Sequence, residues 1–356
     1  MVSTYAGTGE AATLDAPTRT SAKFHRPHGV AFVGSTLYVT DSQGSRIRAI
    51  SPSGVVTTVA GDGEFGFADG TGTNARFSYP TALVARSDGV LLIADNNPRI
   101  RTMTPAGVVS TLAGSSVDGY ADNSNPLLAT FGIDGGRAIA LSAGTGPLYF
   151  GDKKNCNIRA MASATGGAVT TYAGSAARAC DSNGGVDAIG TNARFGSSLY
   201  GLAVSPLDGS LWMADGGNHR IRRITPSVPN NYVTLGAVAH LAGSTTGVSG
   251  YANGGGTAAR FNAPFALQFD PLSSTGDAIV VELYGVRTVT PAGVVGSLAG
   301  NSAAGASDGA CLMQASFNVA LAVTADSEGN LYIAEWGEAP PGSTSSRVRK
   351  VTRVAP

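Results

Sequence analysis

The 356-residue chain has few cysteines, few charged residues and no long hydrophobic run. Its three cysteines form no CxxC pair, which argues against a zinc ribbon or a thioredoxin-type site. No apolar stretch reaches the roughly 18 residues of a membrane-spanning helix, so we expect no membrane span. Charged residues make up 13% of the chain, and 24 basic residues balance 24 acidic ones. This neutrality argues against nucleic acid as a partner.

Glycine, in contrast, is abundant, with 49 residues, and hydrophobic residues make up 43% of the chain. So much glycine argues against long helices, and so much hydrophobic sequence argues against intrinsic disorder. The sequence does not identify the compartment. Abundant glycine, alanine, serine and threonine with only four lysines favour an extracellular or cell-surface setting.

Four sequence marks recur six times in the same order. They are an apolar residue followed by Ala-Gly, an Ala-x-Phe triplet, an apolar run that ends in an acid, and an R-I-R triplet or a relative of it. The acids are Asp41, Asp95, Asp152, Asp215, Glu282 and Glu335. The arginines that end the last mark are Arg48, Arg101, Arg159, Arg222, Arg287 and Arg349. Repetition of this kind indicates a solenoid, a propeller or another repeat array.

Each repeat contains four short runs typical of β-strands. In residues 80–114 the runs are TALVA, GVLLIAD, RIRTMTP and GVVSTLAG, separated by turns rich in glycine, proline, asparagine and aspartate. No stretch shows the periodicity of a long helix. Four strands per repeat are the signature of a β-propeller blade.

The two ends of the chain predict how the propeller closes. The final repeat lacks its fourth strand, and residues 2–7 match the fourth strand of the other repeats. The sequence therefore predicts an all-β, single-domain, six-bladed β-propeller with four antiparallel strands per blade, whose last blade is closed by the N-terminal strand. The approximate blades are 24–61, 77–114, 131–174, 195–243, 261–300, and 317–356 together with 2–7.

The combined pattern AG…DG…A-x-F…L-Y-[VI]-A-D…N-x-R-I-R-x-[IV]-T-P-x-G resembles the NHL-repeat family of six-bladed β-propellers. The segment Asn218-His219-Arg220-Ile221 matches the hallmark of that family. The pattern departs from the family in blade 5, where Glu282 runs almost directly to Arg287, and in blade 6, which has a long insertion. The resemblance covers essentially the whole chain. It implies an interaction module, an RNA-binding propeller, or an enzyme such as a lyase, a lactonase or a strictosidine-synthase-like protein.

Strand direction predicts where a ligand would bind. The starts of the inner strands, the ends of the second strands and the long inter-blade loops should all lie on one face of the propeller. One residue per blade should therefore ring the channel mouth on that face. The ring is His28, Thr81, Arg137, Tyr200, Phe265 and Val319. These side chains suit a ligand with an anionic and an apolar part. The alternative is that they only plug the mouth.

The six acids and six arginines are interpreted as structural, because a residue present in every blade usually serves the blade. We expect each acid to accept backbone N–H bonds in the loop after the second strand and to pair with its arginine. A calcium site among loop carboxylates such as Asp118 and Asp122 is an alternative, although EF-hand spacing is absent. The four histidines predict no metal site, because zinc needs clustered ligands.

Two non-repeated features add candidates. The insertion 336–346 should lie on the mouth face, where Trp336 is either a contact residue for a partner or a cap on the core. Cys156 and Cys180 lie 24 residues apart in one repeat and its outgoing loop. They form either a disulfide or free thiols that fill the core.

These observations favour a binding scaffold over an enzyme. We expect it to recognise a protein or a glycan through the loop-rich face and the channel mouth, without a cofactor. The alternative is a propeller enzyme that performs metal-free acid–base chemistry at His28, Arg137 and Tyr200. Because the chain starts and stops close to blade strands, we also expect it to be part of a larger multidomain chain.

Overall fold

The computed structural model describes residues 1–133, 138–142, 144, 146–175, 180–181, 185–226, 235–339 and 343–353. These residues form six antiparallel sheets of four or five strands, which are the blades of a six-bladed β-propeller. The predicted fold is therefore confirmed. In blades 1 to 5 the four main strands follow one another in chain order from the central channel outwards, and the sixth blade takes its outer strand from the N-terminus.

The strands have the following bounds from the inner to the outer edge of each blade. Blade 1 contains Pro27–Val33, Thr36–Asp41, Arg46–Ile50 and Val56–Ala60. Blade 2 contains Leu83–Ala85, Leu91–Asp95, Arg99–Met103 and Val108–Ala113, with Gly70–Thr71 added at its outer edge. Blade 3 contains Ile139–Leu141, Leu148–Asp152, Asn157–Met161 and Val169–Gly174.

The other three blades follow the same plan. Blade 4 contains Leu199–Val204, Leu211–Asp215, Arg220–Thr225 and Ala237–Gly243. Blade 5 contains Pro264–Phe269, Ala278–Glu282, Gly285–Val289 and Val294–Ala299, with Gly254–Gly255 at its outer edge. Blade 6 contains Ala320–Ala325, Leu331–Glu335, Ser346–Val351 and Val2–Gly9.

The N-terminal strand closes the propeller. Val2–Gly9 pairs antiparallel with Ser346–Val351, from Val2 opposite Val351 to Gly9 opposite Ser346. The first strand of the chain is therefore the outer strand of the last blade, as the sequence predicts. Closure joins the two ends of the chain through backbone hydrogen bonds, so unfolding of blade 6 requires that both ends separate.

The hydrophobic core lies between neighbouring blades. Val30 and Val39 of blade 1, for example, pack with Tyr332 and Ala334 of blade 6 in one cluster. The phenylalanine of each Ala-x-Phe triplet is fully buried and belongs to one of these clusters. These residues are Phe24, Phe77, Phe131, Phe195, Phe261 and Phe317.

Glycine lets neighbouring inner strands approach closely near the axis. A Cβ atom on Gly29 would lie 2.4 Å from the carbonyl oxygen of Thr81 in blade 2. A Cβ atom on Gly201 would lie 2.7 Å from Cα of Ala266 in blade 5. Both distances are too short for real Cβ contacts, so a side chain at either glycine would push two blades apart.

Helical structure in the described part of the chain consists of three-residue 3₁₀ turns. They are Gly72–Asn74, Pro126–Leu128, Lys153–Asn155, Gly190–Asn192, Gly216–Asn218, Gly256–Ala258 and Leu312–Gln314. A two-stranded hairpin, Glu338–Ala339 with Ser343–Thr344, lies in the insertion of blade 6. None of the helices among the described residues is long and apolar enough to cross a membrane.

Candidate functional site

In blades 1, 4, 5 and 6 the inner strand starts level with the acid that ends the second strand. Pro27 pairs with Asp41, and Pro264 pairs with Glu282. Since the outer strands also run towards this face, the inter-blade loops, the blade acids and one opening of the channel share it. We call it the loop face.

A cavity of about 310 Å³ opens on the loop face at the end of the channel, and we call it the mouth cavity. It is lined by Arg26, His28, Ser42, Gln43, Tyr79, Thr81, Asn96, Lys153 and Tyr200. These residues come from blades 1 to 4 and from the loops that enter them. Below it the channel narrows, and a second cavity of about 450 Å³, lined mainly by aliphatic side chains, opens at the opposite end.

Three residues of the predicted ring, His28, Thr81 and Tyr200, line the mouth cavity. Phe265 of the ring packs against Tyr200, with 4.9 Å between ring centroids. Arg137 lies outside the described residues.

The position predicted for blade 6 is wrong by two residues. Ala320 pairs with Glu335 as Pro27 pairs with Asp41, so the residue equivalent to His28 is Leu321. Leu321 lines the channel together with His28. Val319 instead has the register position of Arg26, and its carbonyl oxygen accepts the Trp336 N–H at 3.2 Å.

In blades 1, 2, 5 and 6 the residue two places before the His28 position has an unusual backbone conformation. Arg26, Tyr79, Ala263 and Val319 have φ angles of 59°, 48°, 48° and 41°. Few residues other than glycine adopt the left-handed conformation. This bend turns the chain from the inter-blade loop into the inner strand. In blades 1 and 2 it brings the side chains of Arg26 and Tyr79 to the mouth cavity.

Trp336 belongs to the same neighbourhood through Arg26. The guanidinium carbon of Arg26 lies 3.5 Å from the centroid of the Trp336 ring. Trp336 is half-buried at the start of the blade 6 insertion. Its observed contact is thus with a residue that lines the mouth cavity, which links the insertion to that cavity.

Lys153 and Tyr200 form the side of the cavity made by blades 3 and 4. The Lys153 ammonium lies 5.9 Å from the centroid of the Tyr200 ring. A Cβ atom on Gly216 would lie 2.8 Å from Cδ2 of Tyr200, so only glycine leaves room for this ring. Close to Lys153, Cys156 forms a disulfide with Cys180, with 5.3 Å between Cα atoms. The disulfide ties the loop that carries Lys153 to the next inter-blade loop.

An exposed aromatic pair that was not predicted from the sequence lies at the rim of the mouth cavity. Phe65 and Tyr79 stack with 4.5 Å between centroids and 26° between ring planes. Phe65 is 53% exposed and Tyr79 is 36% exposed. Ala11, Asp118, Ser249 and Ala304 take the Phe65 position in the other described inter-blade loops. Phe65 is thus the aromatic residue at this loop position among the described loops, and this departure from the repeat was the sequence signal for the pair.

The blade acids and arginines form a belt of buried ion pairs outside the mouth cavity. The N–O distances are 2.9 Å for Asp41–Arg48, 3.1 Å for Asp95–Arg101, 2.9 Å for Asp152–Arg159, 3.4 Å for Asp215–Arg222, 2.8 Å for Glu282–Arg287 and 2.8 Å for Glu335–Arg349. Burial raises the pKa of Asp41, Asp152 and Glu282, while the arginines and amide donors oppose this shift. Each buried acid of the belt is therefore paired with the arginine of its own blade.

The amide that bonds each acid differs from the expected one. In blades 1 to 5 it belongs to the residue after the repeated phenylalanine, as in the bonds from His25 to Asp41 and from Asn262 to Glu282. In blade 6 the Ser345 hydroxyl donates to Glu335 instead. The loop after the second strand contributes as well at Asp95, through the Asn97 amide. In blades 1 to 5 the acid thus fixes the entrance to its own inner strand.

Each belt arginine also binds a partially exposed residue from the inter-blade loop. The partners are Asp15, Asp69, Asp122, Asp187 and Asp308, and in blade 5 the amide oxygen of Asn253. Asp122 and Asp118, which the sequence offered as calcium ligands, pair with Arg159 and Lys154. Among the residues that the structure describes, no group of three or more His, Cys, Asp or Glu side chains could hold a metal ion.

His219 of the hallmark segment joins two blades at the loop face. Its Nδ1 accepts the Ala263 N–H at 3.0 Å, and Ala263 lies two residues before Phe265. Burial lowers the pKa of His219, whereas the Asp215 carboxylate acts to raise it. The neutral imidazole is therefore the form that holds blade 5 against blade 4.

Comparisons with known proteins agree with this architecture. The family model described as Teneurin NHL domain matches residues 8–225. NHL repeat-containing protein 2 of Gallus gallus is 27% identical over 264 residues, which cover 66% of this chain and 36% of that protein. The chain therefore spans about a third of the length of this curated relative.

Two solved structures share the fold. An auxiliary nutrient binding protein from Bacteroides ovatus superposes with a TM-score of 0.71 at 17% identity, covering 99% of this chain and 76% of that one. A gluconolactonase from Xanthomonas campestris superposes with a TM-score of 0.55 at 14% identity, covering 91% of this chain and 84% of that one. At these identities the likeness concerns the fold alone. Because the family model matches more than half of its residues, the chain belongs to the Teneurin NHL domain family and is an NHL-repeat six-bladed β-propeller.

Proposed function

We propose that this propeller is a glycan-binding module that holds a saccharide in the mouth cavity. NHL propellers serve in general as binding scaffolds, which is the coarse function that family membership supports. The finer assignment rests on the chemistry of the mouth cavity and its rim.

The stacked pair Phe65 and Tyr79 carries the proposal. A sugar ring has a face of C–H groups and a rim of hydroxyl groups, so it binds well where aromatic planes adjoin polar side chains. Phe65 and Tyr79 offer such a plane at the edge of the cavity. The amides of Gln43 and Asn96, which line the cavity, can both donate to and accept from hydroxyl groups.

The shape of the site favours a glycan over a protein partner. Small-ligand pockets typically enclose about 300–1,000 Å³, and the mouth cavity of about 310 Å³ is of that size. Stable protein interfaces bury more than about 1,200 Å² in total. A concave opening of this size suits a small ligand better than the broad contact surface that such an interface needs. The size of the mouth cavity therefore supports a glycan as the partner that we propose.

The disulfide between Cys156 and Cys180 supports a setting outside the cytoplasm. Disulfides persist in oxidising compartments such as the extracellular space and the periplasm. Glycans of other cells or of the surrounding matrix are accessible there. We propose an extracytoplasmic location for this binding activity.

A glycan array followed by titration calorimetry tests the proposal. We expect at least one saccharide class to bind and Phe65→Ala to lower the affinity about tenfold, since an aromatic contact contributes about 0.5–1.5 kcal/mol. Val294→Ala is the matched control, because Val294 is 51% exposed but lies on the outer strand of blade 5. Absence of binding to any saccharide, or an unchanged affinity of Phe65→Ala, would overturn the proposal.

The same samples address the enzyme alternative. Product analysis after prolonged incubation should show the bound saccharide unchanged. If product forms and His28→Ala abolishes its formation, the protein is an enzyme at this mouth instead of a binding module.

A further inference from the structure

The charged residues that line the mouth cavity carry one sign in the described part of the chain. Arg26 and Lys153 line the cavity with His28 beside them, and no described aspartate or glutamate does. Asp152 directly precedes Lys153, but it is fully buried and bonded to Arg159.

This concentration of cations does not follow from composition. The chain has zero net charge and only four lysines. The other positions directly after the blade acids are Ser42, Asn96, Gly216, Leu283 and Trp336. A lysine at this position is therefore particular to blade 3, and the repeat does not require it.

Arg26 is oriented by its contact with Trp336. Its guanidinium stacks on the indole ring with 3.5 Å between the guanidinium carbon and the ring centroid. Stacking occupies a face of the guanidinium, while its N–H donors lie in the plane of the group. A planar fork held in this way matches the two oxygens of a carboxylate.

Lys153 is held by the backbone around it. It is the first residue of the 3₁₀ turn Lys153–Asn155, and Cys156 next to this turn is in the disulfide. The neighbouring Lys154 turns away and pairs with Asp118 at 2.5 Å. Of these two adjacent lysines, Lys153 therefore lines the mouth cavity and Lys154 forms an ion pair at the surface.

We propose that the ligand of the mouth cavity is an acidic saccharide whose carboxylate binds Arg26 and Lys153. This inference rests on the proposed function and adds the charge of the ligand to it. A uronic acid unites the three groups that the site recognises. Its carboxylate suits the cations, its hydroxyl groups suit Gln43 and Asn96, and its C–H face suits the stacked rings of Tyr79 and Phe65.

The test compares an oligouronate with the same oligosaccharide after chemical reduction of its carboxyl groups. The two probes differ only where reduction replaces each carboxylate with a neutral primary alcohol. We expect the oligouronate to bind roughly tenfold to a hundredfold more tightly at low salt, because hydrogen bonds to charged groups are stronger than neutral ones. This advantage should shrink as the salt concentration rises.

Variants assign the effect to the cavity. Lys153→Gln should lower the affinity for the oligouronate about tenfold and leave the affinity for the reduced probe unchanged. Lys154→Gln, the matched control, should bind both probes as the parent does. Arg26→Lys keeps the charge but loses the planar fork, so we expect it to weaken oligouronate binding by a smaller factor.

The outcomes separate this inference from the proposed function. Equal affinity for the charged and reduced probes, or an undiminished affinity of Lys153→Gln, would overturn the acidic class while glycan binding stands. Binding only to neutral saccharides on the array would do the same. Failure of every saccharide to bind would overturn the proposed function itself.

Discussion

Charged side chains occupy two neighbouring regions on the loop face, and the two regions differ in how they repeat. The belt has an acid and an arginine in every blade, and all six arginines are fully buried. At the mouth cavity, the equivalent positions change from blade to blade, as in Arg26, Tyr79, Ala263 and Val319. Residues that repeat in every blade thus stabilise the blade, whereas residues that vary between blades give the mouth cavity a surface on which a ligand can bind specifically.

Blade 5 refines this comparison within the belt. Its loop residue is Asn253 where the other described loops have an aspartate, yet Arg287 keeps the same arrangement of contacts. The inner acid, Glu282, is buried, and the outer partner in the other blades is 42–50% exposed. The belt therefore tolerates loss of the exposed charge but retains the buried one in every blade.

The largest effect is expected from removal of a belt arginine in a blade that does not line the mouth cavity. Arg287→Met leaves Glu282 buried without its cation, which should cost about 3–5 kcal/mol of unfolding free energy. Urea unfolding followed by circular dichroism measures the loss. Saccharide affinity of the folded fraction should stay at the parental level.

A double variant controls this experiment. Arg287→Met combined with Glu282→Leu should recover most of the lost stability, because an apolar pair of similar volume avoids the buried charge. If Arg287→Met alone unfolds at the parental urea concentration, or weakens the saccharide as strongly as a mouth variant does, the two regions are not distinct.

A smaller effect is expected where belt and mouth meet, at the His219–Ala263 hydrogen bond. Because the folded-state pKa of His219 is lowered, the unfolded chain binds the proton more readily, and this contribution to stability decreases as pH falls below about 6.5. His219→Asn should remove this part of the pH dependence and cost about 0.5–1.5 kcal/mol at pH 8. Asparagine suits the left-handed backbone of residue 219, where φ is 54°.

Unfolding free energies at pH 8 and pH 5 for both proteins measure this contribution. The pKa of His240 is also lowered by burial, so the variant should keep some pH dependence. An identical pH dependence in the parent and His219→Asn would show that His219 does not couple the two blades.

The smallest effect is expected at the exposed partners of the belt. Asp69→Asn should destabilise blade 2, and the reciprocal Asn253→Asp should stabilise blade 5, each by less than about 1 kcal/mol, because partly exposed ion pairs contribute little. Both shifts should decrease in 0.5 M salt. Urea midpoints in low and high salt measure them, and a change of several kcal/mol in either variant would mean that the outer partner is as important as the buried acid.

Much of the fold was predictable because it is repeated. Ala-x-Phe, the apolar run with its acid and the R-I-R triplet occur once per blade, so each blade supports the interpretation of the others. The closure of blade 6 by the N-terminal strand Val2–Gly9 was predictable for the same reason, since this strand completes the one repeat that lacks a strand. The ring position in blade 6 was misplaced by two residues, because no register was available to align Leu321 with His28.

The candidate site was predictable only in part. His28, Thr81 and Tyr200 followed from strand direction, because the pairing of strands places their positions at one opening. The contact of Arg26 with Trp336, and that of Phe65 with Tyr79, join residues from separate loops. Loop conformation depends on contacts with neighbouring blades, and a repeat pattern contains no information about non-repeated side chains.

The amino-acid sequence alone determined the six-bladed architecture, its closure and the repeated acid–arginine pairs, because local strand patterns and turns recur often enough to exclude other folds. Only the tertiary structure decided that Lys153 lines the mouth cavity while Lys154 pairs with Asp118 at the surface. The physical reason is that the direction of a loop side chain depends on tertiary contacts. Here the turn Lys153–Asn155 is followed by Cys156, whose disulfide partner Cys180 lies in the next inter-blade loop.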